Sequence, residues 1–327
     1  KGLGLTAPNA GSYFQNVPLV SSRFTQVSLQ IGKTKLVENT DFVFTGDGNL
    51  AKAVKTDLVF LGLVNDENLA KVNVKGKLVG LWAVGVRSND LVTRVMDAGA
   101  AGIVIVTMEG QANFDRIANR YKSMAGNGRI GFDQEIKQRP VFMVSSDKMA
   151  QLFGASVETL KEAAKTNPET IASQKASYQI VKTKTPVDAV NVMGFLEGTD
   201  KKEEVLVISS HYDHVGVSAT GDAFNGADDD GSGTVSVMEI AEAFALAAKD
   251  GVKPRRSLLF LNVTGEEKGL LGSEWYANHP LFPLENTVVD LNTDMTGRYD
   301  DEHKGKPDYI YEIGSDKLSS QLREVLI

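Results

Sequence analysis

The chain has 327 residues, with 42% apolar residues, 24% charged residues, a formal net charge of −7 and no cysteine. That length suits two domains, and the composition is ordinary for a globular chain. The acidic balance argues against a nucleic-acid partner, the lack of any run of about 18 apolar residues argues against a membrane span, and the missing cysteines exclude disulfides and thiol catalysis.

The chain begins at Lys1 without a signal peptide, so either it is a processed form or its start has been removed, and a secreted or periplasmic location is expected. Residues 1–37 are polar and strand-like. Phe24 to Ile31 alternates apolar and polar residues over part of its length, which reads as an edge strand.

Residues 38–175 have a rhythm of their own. Asp57–Val64, Lys77–Val84, Gly102–Val106 and Pro140–Val144 are short apolar runs of strand character. Ser88 and Asn89 can cap a helix whose apolar face carries Leu91, Val92, Val95 and Met96, and Gly99 ends it. The segment contains no histidine, so it reads as a non-catalytic α+β module. Its wording at Val74–Gly80 and Asp97–Ile105 resembles a protease-associated domain, a family inserted into peptidases and receptors.

Residues 176–327 return to an α/β pattern. Three apolar runs lead into chemistry-bearing residues: Val205–Ile208 into His211, Tyr212 and Asp213; Leu258–Val263 into Glu266 and Glu267; and Val288–Thr293 into Asp294. Runs this short and rich in branched residues read as buried strands. Ligands of open α/β sheets sit just beyond the carboxyl ends of such strands. Between the first two runs lies Asn225–Gly233, with Asp228, Asp229 and Asp230 in sequence, followed by a helix read from a cap at Ser232.

Each of these features has an ordinary reading. A single strand-end histidine is commonly a hydrogen-bonded structural residue, and Glu266–Glu267 could be acids favoured at a helix start. His214 is a rival to His211, but neighbouring strand residues point to opposite faces. Counting from Asp228, the residues Asp230, Ser232, Gly233 and Glu239 mimic a calcium loop. A calcium hand needs a helix before its loop, and Gly221–Gly226 cannot supply one. Four acidic or histidine sites at successive strand ends point instead to a hydrolytic zinc site, with room for two ions.

The motifs His211-x-Asp213, Gly226–Asp229, Gly265-Glu266-Glu267-x-Gly269-Leu270-x-Gly272-Ser273 and Asp294–Met295 stand in one order. In that order they resemble the co-catalytic zinc aminopeptidase family, which includes glutamate carboxypeptidases. The resemblance covers about 176–327, and the protease-associated insert fits known architectures of the family. It implies a mixed, largely parallel central sheet flanked by helices, with a zinc peptidase domain of 1–37 and 176–327 and an α+β insert of 38–175.

The resemblance also implies roles. His211, Asp228 and Asp294 would hold one zinc, and Asp228 and Glu267 the second. Glu266 would be the general base, Asp213 would orient His211, and the Asp228–Asp229 peptide would be cis. The family's second zinc takes a further histidine late in the domain, which no local wording supplies before Ile327. The peptidase domain is therefore expected to be incomplete at both ends and its second metal position weak. The activity implied is removal of N-terminal residues from peptides. A carboxypeptidase or dipeptidase of the same family, and a catalytically silent receptor-like protein, are the alternatives.

Overall fold

The computed structural model describes residues 2–124, 128–135, 138–218, 221–305 and 309–326. They form two units, Lys1–Pro18 with Asp188–Ile327, and Leu19–Val187. The boundaries expected at 37/38 and 175/176 fall inside the second unit. The cause is a long strand pair. Leu19–Ile31 and Gln174–Val187 run antiparallel along almost their whole lengths, from Leu19 opposite Val187 to Ile31 opposite Ala176.

The first unit is built on a five-stranded mixed sheet. Its spatial order is Phe14–Asn16, Val190–Leu196, Arg256–Val263, Lys201–His211 and Thr287–Asn292. The first two pairings are antiparallel and the last two parallel. The sheet is thus mixed, as expected, with two of its four pairings parallel.

The Arg256–Val263 strand is apolar almost throughout because both of its faces are covered. Leu259, Leu261 and Val263 pack with Met193, Val205, Val207 and Tyr276 on one face. Leu258 and Phe260 pack with Ile208, Val237 and Ala241 on the other. Strands buried on both sides read as continuous apolar runs rather than alternating ones. The helix Gly231–Lys249 supplies Val237 and Ala241 to one face, and the helix Leu271–Asn278 supplies Tyr276 to the other.

The parallel register places the chemistry. His211 pairs opposite Val263, and Ser209 opposite Asn292. Asp294, two residues past Asn292, is therefore level with His211, two residues past Ser209. Glu266 follows Val263 by three residues, in the short 3-10 turn Glu266–Lys268. All three side chains leave the same edge of one sheet.

The second unit carries a nine-stranded sheet. At its centre Leu50–Gly62, Leu78–Trp82, Gly102–Val106 and Val141–Met143 run parallel. Leu19–Ile31, which contains the Phe24–Ile31 stretch expected as an edge strand, is paired on both sides: with Gln174–Val187 on one, and with Thr34–Leu36 and Arg129–Phe132 on the other. Of its apolar side chains only Leu19 at one end and Leu29 and Ile31 at the other are buried, so the alternation in the sequence is partial. The Ser88–Asp97 helix is capped at Arg87 without a side-chain hydrogen bond, so the expected Ser88–Asn89 cap is not made.

Candidate metal centre

His211 is 2% exposed. Its Nδ1 lies 3.0 Å from the backbone oxygen of Asp213. A proton on Nδ1 donated to that carbonyl leaves the Nε2 lone pair free, and Nε2 is buried without a hydrogen-bond partner. Around Nε2 stand Asp229 Oδ1 at 3.2 Å, Asp294 Oδ2 at 3.7 Å and Glu266 Oε2 at 3.8 Å.

A second group lies beside the first. Asp229 Oδ1 is 4.0 Å from His214 Nδ1, and Glu267 Oε1 is 2.7 Å from the same nitrogen. Two sets of donors therefore share one carboxylate: His211, Asp229 and Asp294 in one, and His214, Asp229 and Glu267 in the other. Imidazole with carboxylate oxygens is the donor chemistry that zinc accepts.

The shared aspartate is Asp229, not the expected Asp228. Asp228 turns away, and its Oδ1 accepts the backbone N–H of Gly297 at 3.0 Å while its Oδ2 faces Arg298 at 3.6 Å. The cis peptide correspondingly lies between Asp229 and Asp230, one position later than expected. Three adjacent aspartates differ only in where the loop points them.

Asp230, the third of the run, works on the backbone. Its Oδ1 accepts the N–H of Gly233 at 2.9 Å and of Met295 at 3.3 Å, and its Oδ2 accepts the N–H of His211 at 3.2 Å. One carboxylate so caps the Gly231–Lys249 helix and ties the residues carrying both His211 and Asp294. The cap is Asp230 rather than Ser232, whose hydroxyl donates back to the Asp228 carbonyl. Burial pushes the Asp230 carboxyl above its ordinary range, with Asp294 adding to the rise against the three N–H donors.

Asp213 orients His211 through its backbone oxygen, not its carboxylate. The Asp213 carboxylate is 3.9 Å from Nδ1 and instead accepts the backbone N–H of Glu266 at 3.1 Å. It therefore fixes the turn that carries the base. Gly265, at φ 69°, takes the left-handed backbone that this turn requires.

Glu266 and His211 are polarised by the same neighbourhood. Burial pushes the Glu266 carboxyl up, and Glu267, Asp294 and Asp213 push it further, against the opposing pull of His211. For His211, burial opposes the charged ring, but the Asp213 carbonyl and the carboxylates of Asp230, Glu266 and Asp294 outweigh it and raise its pKa.

Three strand-end expectations converge here: His211, Glu266 and Asp294 with Glu267 beside them. His214 is the residue that strand alternation set aside. The Lys201–His211 strand ends at His211, so the two-residue alternation no longer governs the residues beyond it. The loop brings the chain back so tightly that a Cβ on Gly226 would lie 2.7 Å from His214 Cβ. His279 stacks on Trp275 with ring centroids 3.6 Å apart, and His303 stacks on Tyr309 at 3.8 Å. Neither belongs to either donor set.

A cavity of about 650 Å³ opens on this edge, lined by His211, Glu266 and Asp294 together with Leu270, Tyr276 and Leu284. No lysine or arginine lines it among the described residues.

Residues 191–325 match Peptidase family M28. Among curated proteins, a probable zinc metalloprotease of Pyricularia oryzae is 36% identical over 118 residues, 34% of this chain and 22% of that protein. The probable glutamate carboxypeptidase LAMP1 of Arabidopsis thaliana is 35% identical over 106 residues, 32% of this chain and 14% of that protein. Aminopeptidase YwaD of Bacillus subtilis is 28% identical over 173 residues, 47% of this chain and 36% of that protein. The matched stretch thus spans about a third or less of each of these relatives. The M28 segment contains every residue of both donor sets.

Proposed function

We propose that this chain carries the catalytic centre of a zinc-dependent exopeptidase, and that it acts as an aminopeptidase. One observation carries the reading: a buried, unpartnered imidazole nitrogen faces three carboxylates with no lysine or arginine within ion-pair distance of Asp229, Asp294 or Glu266 among the described residues. Such a group of acids needs a cation to be stable, and its donors fit zinc. His211, Asp229 and Asp294 would hold the ion. Zinc in such a site supplies Lewis acidity, polarising a carbonyl and activating water at neutral pH.

The remaining work falls to the chain. Glu266 takes the proton of the attacking water on its carboxylate and passes it to the leaving amine, as a general base and then a general acid. Burial raises its pKa above the ordinary carboxylate value, which favours its taking up a proton. The Asp213 carboxylate holds the backbone of Glu266, and the Asp213 carbonyl keeps the His211 tautomer that leaves Nε2 free to bind.

The acidic cavity favours the aminopeptidase over the carboxypeptidase. A substrate's free N-terminal amine is cationic and suits a lining with Glu266, Glu274, Asp290 and Asp294. A substrate's C-terminal carboxylate would require a cationic partner, and the cavity lining offers none among the described residues. The Leu19–Val187 unit we read as a protease-associated domain. Support comes from its wording at Val74–Gly80 and Asp97–Ile105, which falls around two neighbouring parallel strands, Leu78–Trp82 and Gly102–Val106.

The test compares an aminoacyl chromogenic amide with an N-blocked peptide bearing a free C-terminus. Cleavage of the first alone, lost on chelation and restored by zinc, is expected. Cleavage of the second alone would establish the carboxypeptidase. Cleavage of neither by zinc-loaded protein would support a silent, receptor-like chain.

A further inference from the structure

The geometry points to a second binding site, inside the Leu19–Val187 unit, for an acidic peptide that carries an apolar residue. The site is independent of the metal centre and does not rest on the zinc-peptidase reading.

A cavity of about 760 Å³ opens in this unit, and Arg120, Arg129 and Arg139 line it. That volume falls within the range of about 300–1,000 Å³ usual for small-ligand sites. The one acid in the lining, Asp47, is already matched, because its Oδ1 meets Lys182 Nζ at 2.7 Å. No carboxylate forms an ion pair with Arg129 or Arg139 among the described residues, although Asp41, Asp57 and Glu109 of the same unit all sit on lysines. A cleft lined by one sign of charge focuses its field and draws in the opposite charge.

Arg139 is fixed before any ligand arrives. Its backbone N–H donates to the Asp47 carbonyl at 2.8 Å, and its carbonyl accepts the N–H of Asp47 at 3.0 Å. Gly46 allows that close approach, since a Cβ there would lie 2.2 Å from the Arg139 carbonyl oxygen. The guanidinium Nη2 donates to the Asn89 carbonyl at 2.8 Å and to the Thr93 hydroxyl at 2.9 Å, both on the Ser88–Asp97 helix. Both bonds leave from one nitrogen, so Nε and Nη1 keep their donors for a ligand. A guanidinium held this way loses little freedom on binding, and its planar fork matches a carboxylate. Arg129 comes from the strand Arg129–Phe132, where it pairs opposite Ser22, and Arg120 from the helix Gln111–Met124. Three separate segments thus bring arginines to one cavity.

Much of the remaining lining is apolar. Ile105, Val141 and Met143, buried on two neighbouring parallel strands, face it together with Val92 and Ile117. A bare inorganic anion would leave that surface unused. A peptide with carboxylates on either side of an apolar side chain uses both parts of the lining. No histidine or cysteine lines the cavity among the described residues, so it is equipped to hold a ligand rather than to transform one.

Calorimetry on the zinc-loaded protein tests this with a peptide of leucine between two aspartates. Acetylation at one end and amidation at the other keep it from being an exopeptidase substrate. It should bind with a Kd below ~1 mM, and more weakly as salt is added. Arg129→Gln should weaken binding about 10-fold or more, the scale of a lost charge-assisted hydrogen bond. Arg129→Lys, which keeps the charge without the fork, should restore part of the loss. Arg120→Gln, on a different element, should act in the same direction and guards against a local folding defect in the first variant. Exchanging both aspartates of the peptide for asparagine, or its leucine for serine, should each weaken binding, and inorganic phosphate should bind at least ~10-fold more weakly than the peptide. Peptide binding unchanged in both Arg129→Gln and Arg120→Gln would overturn the inference by placing the peptide elsewhere, the metal centre included. A parent protein that does not bind the peptide would overturn it as well. Phosphate bound as tightly as the peptide would make the cavity a site for bare anions and remove the peptide assignment.

Discussion

The acids of the two units are treated in opposite ways. In the Leu19–Val187 unit they meet lysines and arginines. Asp57 bridges Lys77 at 2.5 Å and Lys175 at 2.8 Å, Asp47 meets Lys182 at 2.7 Å, Asp41 meets Lys148 at 2.8 Å, and Glu109 meets Lys161 at 2.7 Å. In the other unit Asp200 on Arg255 and Glu204 on Arg256 obey the same rule, while Asp300 meets His303 at 2.8 Å. At the edge holding His211, four acids, Asp229, Glu266, Glu267 and Asp294, gather around two histidines instead. Like charges at that spacing repel, and burial adds a desolvation cost. Both units have parallel strands that end in short loops, so strand topology does not create the centre. The difference lies in the two to four residues after each strand, and in whether a protein cation is supplied with them.

The largest effect expected on this contrast is at Glu266. Glu266→Gln keeps the shape and removes the base, so turnover should fall by at least ~10²-fold, the usual scale for general acid–base catalysis. Zinc content, measured in the same preparation, should stay near that of the parent. Retained turnover would show that Glu266 is simply another acid of the cluster.

The next effect is structural and sharpens the comparison through two glycines. A Cβ on Gly233 would lie 2.2 Å from the Thr293 carbonyl and 2.3 Å from Asp230 Oδ1, in the packing that seats Asp294. Gly233→Ala should cost about 1–3 kcal/mol in urea unfolding, the range for forced overpacking, and should weaken zinc binding. Gly131, in the other unit's sheet, has open space where its Cβ would go. Gly131→Ala should leave stability unchanged or raise it by less than ~1 kcal/mol, since it loses only glycine's extra freedom. Equal costs at both positions would mean that the sheet edge is no more tightly built than an ordinary strand.

Much of this edge is legible in the sequence because apolar runs and their terminal residues obey simple rules. His211, Glu266 and Glu267 stand at the ends of runs buried on a sheet. The Val288–Thr293 run before Asp294, expected as buried, is instead an edge strand with no buried residue in Thr287–Asn292, and the parallel register does the rest. The choice among Asp228, Asp229 and Asp230 is not legible, since all three are the same residue and only loop geometry separates them. Asp229 faces the histidines, Asp228 takes the Gly297 N–H, and Asp230 caps a helix. The signal that could find Asp230 is its position: it stands directly before Gly231, where the helix starts. His214 is hidden because alternation holds only as far as the strand's end at His211. The unit boundaries are hidden because a thirteen-residue strand, half exposed, shows its pairing partner nowhere in its own residues.

The smallest effect concerns an acid of the paired kind and asks whether its lysines do what zinc does elsewhere. The hydrogen bonds from Lys175 and Lys77 hold the Asp57 carboxyl down at about 2. A carboxyl lowered on folding adds stability that is complete above its unfolded pKa of ~3.9 and is lost as the pH falls from there through the folded value. Asp57→Asn should therefore lower the urea midpoint slightly at pH 7. The gap from the parent should narrow between pH 4 and pH 2, and it should shrink with added salt, because Asp57 lies near the surface. Zinc binding should be unaffected at every pH where the parent itself binds, since Asp57 belongs to neither donor set. A gap that stays constant from pH 7 to pH 3 would show that Asp57 acts by packing rather than by charge. Loss of zinc in this variant would show instead that the two treatments of acids are coupled, and that the contrast between the units is not a division of labour.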